Sequence, residues 1–271
     1  MNLLRPLERD VKVNGARLRL LDWGGEGRPP VLLLHGFTGH AHAWDTLSIA
    51  LQPRFHVMAL DQRGHGDSDP ADVYNAVAAF EDLTAMVDEL RLASLVLIGL
   101  SMGGRNAIYF TAKRPEVVSR LVIVDIGPEI SKRAAAPSAG PPEPDTWDSI
   151  EQAAQHLYRA NPYPGIHYYR WVVSHSLRPR RDGRLVWKWH PSIKERRTNP
   201  DVDWWALLRS ITAPTLVLRG AESHVLDHDV AERMARELPN GRLVEIERAV
   251  HTLHEDNPDA VLAALNAFLP A

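Results

Sequence analysis

Cysteine is absent from all 271 residues, which removes a disulfide framework, a thiolate metal site and a cysteine nucleophile together. Long apolar runs are missing too. Val31–Leu34 and Leu95–Leu100 are far too short to span a bilayer. Met1–Asp10 scatters Arg5, Glu8, Arg9 and Asp10 among its leucines, leaving no signal-peptide core. Neither sign of charge is in excess: the formal net charge is −3, too small a field to gather nucleic acid or an anionic membrane. These absences lead to the expectation of a cytoplasmic protein with no nucleic-acid or membrane partner. What remains is 45% apolar and 24% charged residues, the balance of a soluble globular enzyme. The length allows one large α/β core or two small domains, and no internal repeat divides it.

Short apolar runs alternate with longer segments of helical spacing, as in βα units around a mostly parallel sheet. Asn14-Gly15 joins the first two strands, Asp10–Val13 and Arg17–Asp22, as a hairpin. Strands are predicted at Val31–Leu34, Phe55–Leu60, Leu95–Gly99 and Leu121–Asp125, with helices at Ala43–Leu51, Val77–Leu90 and Met102–Lys113. The rhythm then breaks between about Pro128 and Ser210. Pro137, Pro141, Pro142 and Pro144 suggest a flexible excursion, and the rest of the stretch is rich in aromatics. Alternation resumes with Thr215–Arg219, Asp229–Glu237, Arg242–Ile246 and a last helix over Pro258–Phe268. An insertion of this length inside one α/β unit reads as an active-site lid, giving a core of 1–127 and 211–271 with a lid of 128–210. Within it Asp182-Gly183 marks a hairpin tip, with Leu185, Trp187 and Trp189 alternating onto one face. Its interleaved arginines could bind single-stranded nucleic acid or hold a substrate carboxylate. No basic surface elsewhere supports the former, and solvated arginines are the commoner case.

Gly99-Leu100-Ser101-Met102-Gly103 closes a strand and opens a helix. This is the setting in which G-x-S-x-G forms a nucleophile elbow. The glycines permit the sharp turn, and the helix N-terminus aims the Met102 N–H at the point where Ser101 would react. The plainer reading is a glycine-rich turn with a helix-capping serine. His35-Gly36-Phe37 follows the strand Val31–Leu34, where the Phe37 N–H would be a second oxyanion donor. Asp61 and His65, in Asp61-Gln62-Arg63-Gly64-His65-Gly66-Asp67-Ser68, read as loop-organising rather than catalytic.

These motifs, together with a late histidine in His251–Pro258, resemble the α/β-hydrolase superfamily over nearly the whole chain. The resemblance implies an α/β-hydrolase fold: a mostly parallel eight-stranded sheet flanked by helices, with the aromatic insertion at the family's lid. Family members that act as dehalogenases or epoxide hydrolases carry aspartate where this chain has Ser101, so those activities are not expected. A serine nucleophile needs a base. Among 13 histidines the family position falls on His251, with His254 as the rival. Val250 stands where relatives usually have glycine. Many relatives carry the acid as G-x-x-D or G-x-x-x-D after the strand equivalent to Thr215–Arg219, but here those positions are Ser223 and His224. The acid is therefore Asp125, which ends the strand beside that of Ser101, or Glu222 or Asp227 in the later loop. Asp125 is preferred because some relatives place it there, among them the acetamidomethylene-succinate hydrolase group. A residue that only caps local backbone remains the alternative.

The resulting expectation is a carboxylesterase-type serine hydrolase acting on a small ester. Ser101, His251 and Asp125 would be catalytic, Phe37 and Met102 would form the oxyanion hole, and neither metal nor organic cofactor is required. C–C or amide-bond hydrolysis of an acidic substrate, and a ligand-binding scaffold without turnover, are the alternatives. Substrate and oligomeric state are not legible.

Overall fold

The computed structural model describes residues 5–135, 144–198 and 200–270. Strands β1 (Leu7–Val13) and β2 (Ala16–Asp22) form an antiparallel hairpin. Its corner residues Asn14 and Gly15 have φ of 50° and 79°, as a two-residue turn of the favoured hand requires. The chain continues through β3 (Pro30–Leu34), α1 (Asp45–Leu51), β4 (His56–Leu60), α2 (Ala76–Glu89), β5 (Leu95–Leu100), α3 (Met102–Lys113) and β6 (Val118–Val124). It then leaves the sheet for α4 (Ile150–Ala160), α5 (Ile166–Ser176), the hairpin β7 (Leu177–Pro179) and β8 (Leu185–Trp187), α6 (Ser192–Glu195) and α7 (Trp204–Ser210). It returns as β9 (Thr215–Gly220), α8 (His228–Glu237), β10 (Gly241–Ile246), α9 (Leu253–Asp256) and α10 (Pro258–Phe268).

The eight strands lie in the order β1-β2-β4-β3-β5-β6-β9-β10. The pairs β1/β2 and β2/β4 are antiparallel and the others parallel. Helices cover both faces, so the central strands are apolar at consecutive positions. The pleat sorts those side chains by parity. Leu32, Leu34, Leu97 and Ile123 meet Met86, Phe110 and Met234 on one face. Val31, Leu33, Ile98 and Val124 meet Leu47, Val261 and Leu265 on the other. Parallel strands in register bring the C-terminal ends of β3, β5, β6 and β9 to one edge, which is where loops can assemble a site.

The segment between β6 and β9 has its own small core, in which Trp147, Tyr169, Val173 and Leu177 are buried with Leu185 and Trp187 packed against them. The hairpin turns at Asp182-Gly183, where Gly183 has φ of 82°. Trp189 does not share the Leu185–Trp187 face. The strand ends at Trp187, and the chain is drawn off when the Lys188 N–H bonds Ser176 and the His190 N–H bonds Gly64. Trp189 instead receives the Lys194 ammonium 4.4 Å from its ring centre. Helices α4 and α5 lie where the sequence pattern shows no strand–helix alternation. The excursion suggested by Pro137, Pro141 and Pro142 lies outside the described residues. No helix among the described residues is long and apolar enough to cross a membrane.

Candidate active site

Ser101 sits between β5 and α3 with φ 52° and ψ −114°, a conformation that costs on the order of 1–3 kcal/mol in a residue bearing a Cβ. The surrounding packing holds it there. A Cβ on Gly99 would lie 2.3 Å from the Gly103 carbonyl oxygen, and one on Gly103 would lie 2.3 Å from that of Leu34, so neither glycine can be replaced without displacing backbone. The Ser101 N–H donates to Val124 O at 3.0 Å. Its hydroxyl makes no capping bond to α3, which disposes of the plain helix-cap reading.

The loop after β3 lies directly against this turn. A Cβ on Gly36 would be 3.4 Å from that of Ser101. Among the described residues, the N–H groups of Phe37 and Met102 donate to no internal acceptor, leaving two backbone donors available beside the serine. Buried His35 fastens the loop: its Nδ1–H donates to Gly36 O at 2.7 Å, and its Nε2 accepts from the Gln62 N–H at 3.0 Å. Gln62 Nε2 returns a bond to His35 O, and Asn106 on α3 secures Gln62 Oε1. Asp61 accepts from the Ala41 and Asp67 N–H groups. His65 Nδ1 bonds Arg63 O. Both are therefore organisers of their loop, as the sequence suggested.

Asp125 follows the last residue of β6, next to β5, and is wholly buried with φ of 49°. Its Oδ2 accepts from His251 Nδ1 at 2.7 Å and from Ser223 Oγ at 2.6 Å, while Oδ1 accepts from the Gly220 N–H at 3.1 Å. Donation from Nδ1 to a carboxylate leaves His251 Nε2 with the lone pair. Among the described residues no hydrogen bond yet joins Ser101 Oγ to that nitrogen. Such contacts commonly tighten when substrate arrives. Val250 causes no distortion: it is not among the residues of positive φ, and its N–H donates to Asp256 Oδ2 at 2.8 Å. Glu222 is turned away and accepts from the Tyr163 hydroxyl at 2.7 Å. Asp227 pairs with Arg133. Nothing in the sequence pattern marks Ser223 as a partner of Asp125, whose carboxylate it meets only in the fold.

His254, the rival base, is buried against Trp44 with ring centres 4.0 Å apart. Burial, with a smaller push from His251, drives its pKa down to about 3. Burial also drives His40 to about 3 and His65 to about 4. A histidine depressed in the fold stabilises fully above its unfolded value of about 6.5 and loses that contribution as pH falls toward the folded value. Asp61 and Glu255 oppose this, since burial raises them to about 6 and about 7 and their neutral forms favour folding at lower pH. The histidines outnumber them, so stability should fall on acidification from pH 6.5 to 4. His254→Phe keeps the stack on Trp44 and removes one titrating group. In urea unfolding curves measured across that range, stability should then decline less steeply by up to ~1.4 kcal/mol per pH unit. An unchanged slope would mean that His254 is not kept neutral by burial.

A strained serine at a strand–helix turn, at the C-terminal edge of such a sheet, defines a class. Residues 29–258 match the family described as alpha/beta hydrolase fold, and the chain belongs to that family. It is 28% identical to the 2-(acetamidomethylene)succinate hydrolase of Mesorhizobium japonicum, over 98% of this chain and 96% of that one. It is 29% identical to esterase Rv0045c of Mycobacterium tuberculosis, over 97% and 90%. A crystal structure of E-2-(acetamidomethylene)succinate hydrolase superposes with a TM-score of 0.85 at 26% identity, covering 98% of this chain and all of the other. Its relatives include esterases, lipases and other hydrolases, and this protein is a hydrolase of the same family.

Proposed function

We propose that the protein is a serine hydrolase that cleaves a small carboxylic ester through an acyl-enzyme at Ser101. The observation that carries this reading is the buried Asp125 carboxylate holding His251 Nδ1 at 2.7 Å at the strand edge that bears the strained serine. His251 Nε2 takes the Ser101 proton as the oxygen attacks the ester carbonyl. The Phe37 and Met102 N–H groups receive the developing oxyanion. The imidazolium, stabilised by Asp125, protonates the departing alcohol and leaves Ser101 acylated. Water then gives a proton to His251 as its oxygen attacks the acyl carbon; the bond to Ser101 Oγ breaks, His251 returns the proton to that oxygen, and the acid leaves. No step calls on a metal or organic cofactor. Residues 128–210 act as a lid over a core formed by 1–127 and 211–271, supported by the separate apolar cluster around Trp147.

Rapid mixing with 4-nitrophenyl acetate tests the reading. One equivalent or less of 4-nitrophenolate should appear in a burst before the steady state, or steady turnover alone where deacylation is fast, and a fluorophosphonate should label the enzyme stoichiometrically. Absence of burst, turnover and labelling would favour the ligand-binding scaffold without chemistry.

A further inference from the structure

Arg105 lies one helical turn beyond Ser101 on α3, and Arg197 reaches in from the segment after α6. Both line the cleft that Phe37 and Met102 border. Lys194 lines an adjoining hollow together with Arg105, Arg197 and Trp204. Among the described residues none of these three cations pairs with a carboxylate, although their neighbours do. Asp82, the acid in the same cleft, is held by Arg63 Nε at 2.6 Å. Asp72 is held by Arg196 at 2.6 Å, and Glu129 accepts from Trp205 at 3.0 Å and meets Arg233.

Each of the three rests on an aromatic ring instead. Arg105 lies 5.1 Å from the Trp204 ring centre, Arg197 lies 5.0 Å from that of Phe37, and Lys194 is on Trp189. Stacking occupies the flat face of the Arg197 guanidinium and leaves its N–H edge available to an anion. Arg105 is fixed further: Nε and Nη2 donate to the Gly127 carbonyl and Nη2 also to that of Pro128, so among the described residues only its Nη1 is left for an anion. Among the described residues the Arg197 guanidinium donates to nothing in the protein. Burial, followed by the charge of Arg197, holds Arg105 below the usual guanidinium range. Like charges brought together in a partly dry cleft repel, and a bound anion would reverse that cost.

We infer that Arg105, Arg197 and Lys194 form an anion subsite of the catalytic cleft, and that the natural ester carries a free carboxylate besides its scissile bond. The subsite stands on the geometry; its use on an ester rests on the serine-hydrolase reading above. Two measurements separate the parts. In the first, Ser101→Ala is titrated with adipate and, separately, with inorganic phosphate by calorimetry. Adipate should bind saturably and more weakly as salt rises. Adding Arg197→Gln, an exposed substitution whose folding circular dichroism can verify, should weaken binding about tenfold to a hundredfold. Arg197→Lys should restore part of it.

In the second, the Ser101 enzyme is given charged and neutral isosteres. The acyl side is probed with 4-nitrophenyl hydrogen adipate against 4-nitrophenyl hexanoate, the alcohol side with 4-acetoxybutyrate against butyl acetate. kcat/KM should favour the charged member of at least one pair, which identifies the side. Arg197→Gln should lower that charged-to-neutral ratio about tenfold or more. Adipate that fails to bind, or binding indifferent to Arg197, overturns the subsite. Phosphate bound more tightly than adipate overturns the carboxylate assignment. Adipate bound through Arg197 without turnover of any ester leaves the subsite standing and overturns the ester reading.

Discussion

Ser101→Ala should fold as the parent does and lose on the order of a thousandfold or more in kcat. The side chain is half-exposed and makes no capping bond that the helix would miss, so the fold has little to lose. The chemistry loses its attacking oxygen entirely. What remains is the pair of N–H groups at Phe37 and Met102, which can still polarise a carbonyl for attack by water, so activity should fall to a residue above background rather than to zero. A fluorophosphonate should mark the parent at one site and spare the variant. Equal labelling of both proteins, or activity within tenfold of the parent, would remove Ser101 from the mechanism whatever the relatives do.

A second large loss is expected from Asp125→Asn, on the order of a thousandfold or more in kcat. The amide keeps the size of the side chain but brings a donor where Oδ2 accepted from both His251 Nδ1 and Ser223 Oγ. With its amide nitrogen toward the ring, the imidazole is held in the wrong tautomer, its Nε2 protonated and facing the serine. With its oxygen there instead, the charge that steadied the imidazolium is still gone. Glu222→Gln should cost no more than about tenfold, because Glu222 bonds the Tyr163 hydroxyl at the surface and not His251. The pair of measurements discriminates between the acids: collapse in Glu222→Gln with near-normal Asp125→Asn would reverse the assignment. Circular dichroism and urea melts on both variants distinguish lost chemistry from lost fold, which matters for a carboxylate as buried as Asp125.

The sheet was legible because its signal is local. Met102–Lys113 and Pro258–Phe268 were predicted to the residue: the elbow starts one helix, and Asn257-Pro258 starts the other by capping and a preset φ. β6 was placed too late. Its first residues, Val118-Ser119-Arg120, look polar in sequence and become strand only through pairing with β5. Helices α4 and α5 were missed for a related reason. Their apolar faces pack on each other and on Trp147 rather than on the sheet, so no alternation with strands announces them. At the site, the elbow could be read from its motif and setting, and His251 from the resemblance to the family. The roles of Ser223 and Arg197 could not, because each depends on a partner brought close by folding. Ser223 lies 98 residues from Asp125, and Arg197 meets Phe37 from a different loop.

The bond between Ser223 and Asp125 also bears on how such a site can change through evolution. The two side chains come from the turns that follow adjacent strands and meet at 2.6 Å, with His251 touching the same carboxylate oxygen. An aspartate at 223 would therefore lie within reach of the imidazole that Asp125 now holds, so the acid can pass from one strand end to the other while serine and histidine stay where they are. The route is constrained by its midpoint. A chain carrying both aspartates would crowd two carboxylates into a buried space that tolerates one charge, and one of them would have to keep its proton. Such a chain would share a single negative charge between two positions, its activity would be sensitive to pH, and losing either acid would relieve it. Lineages leaving such an intermediate would diverge in which strand bears the acid while remaining alike in everything the acid serves.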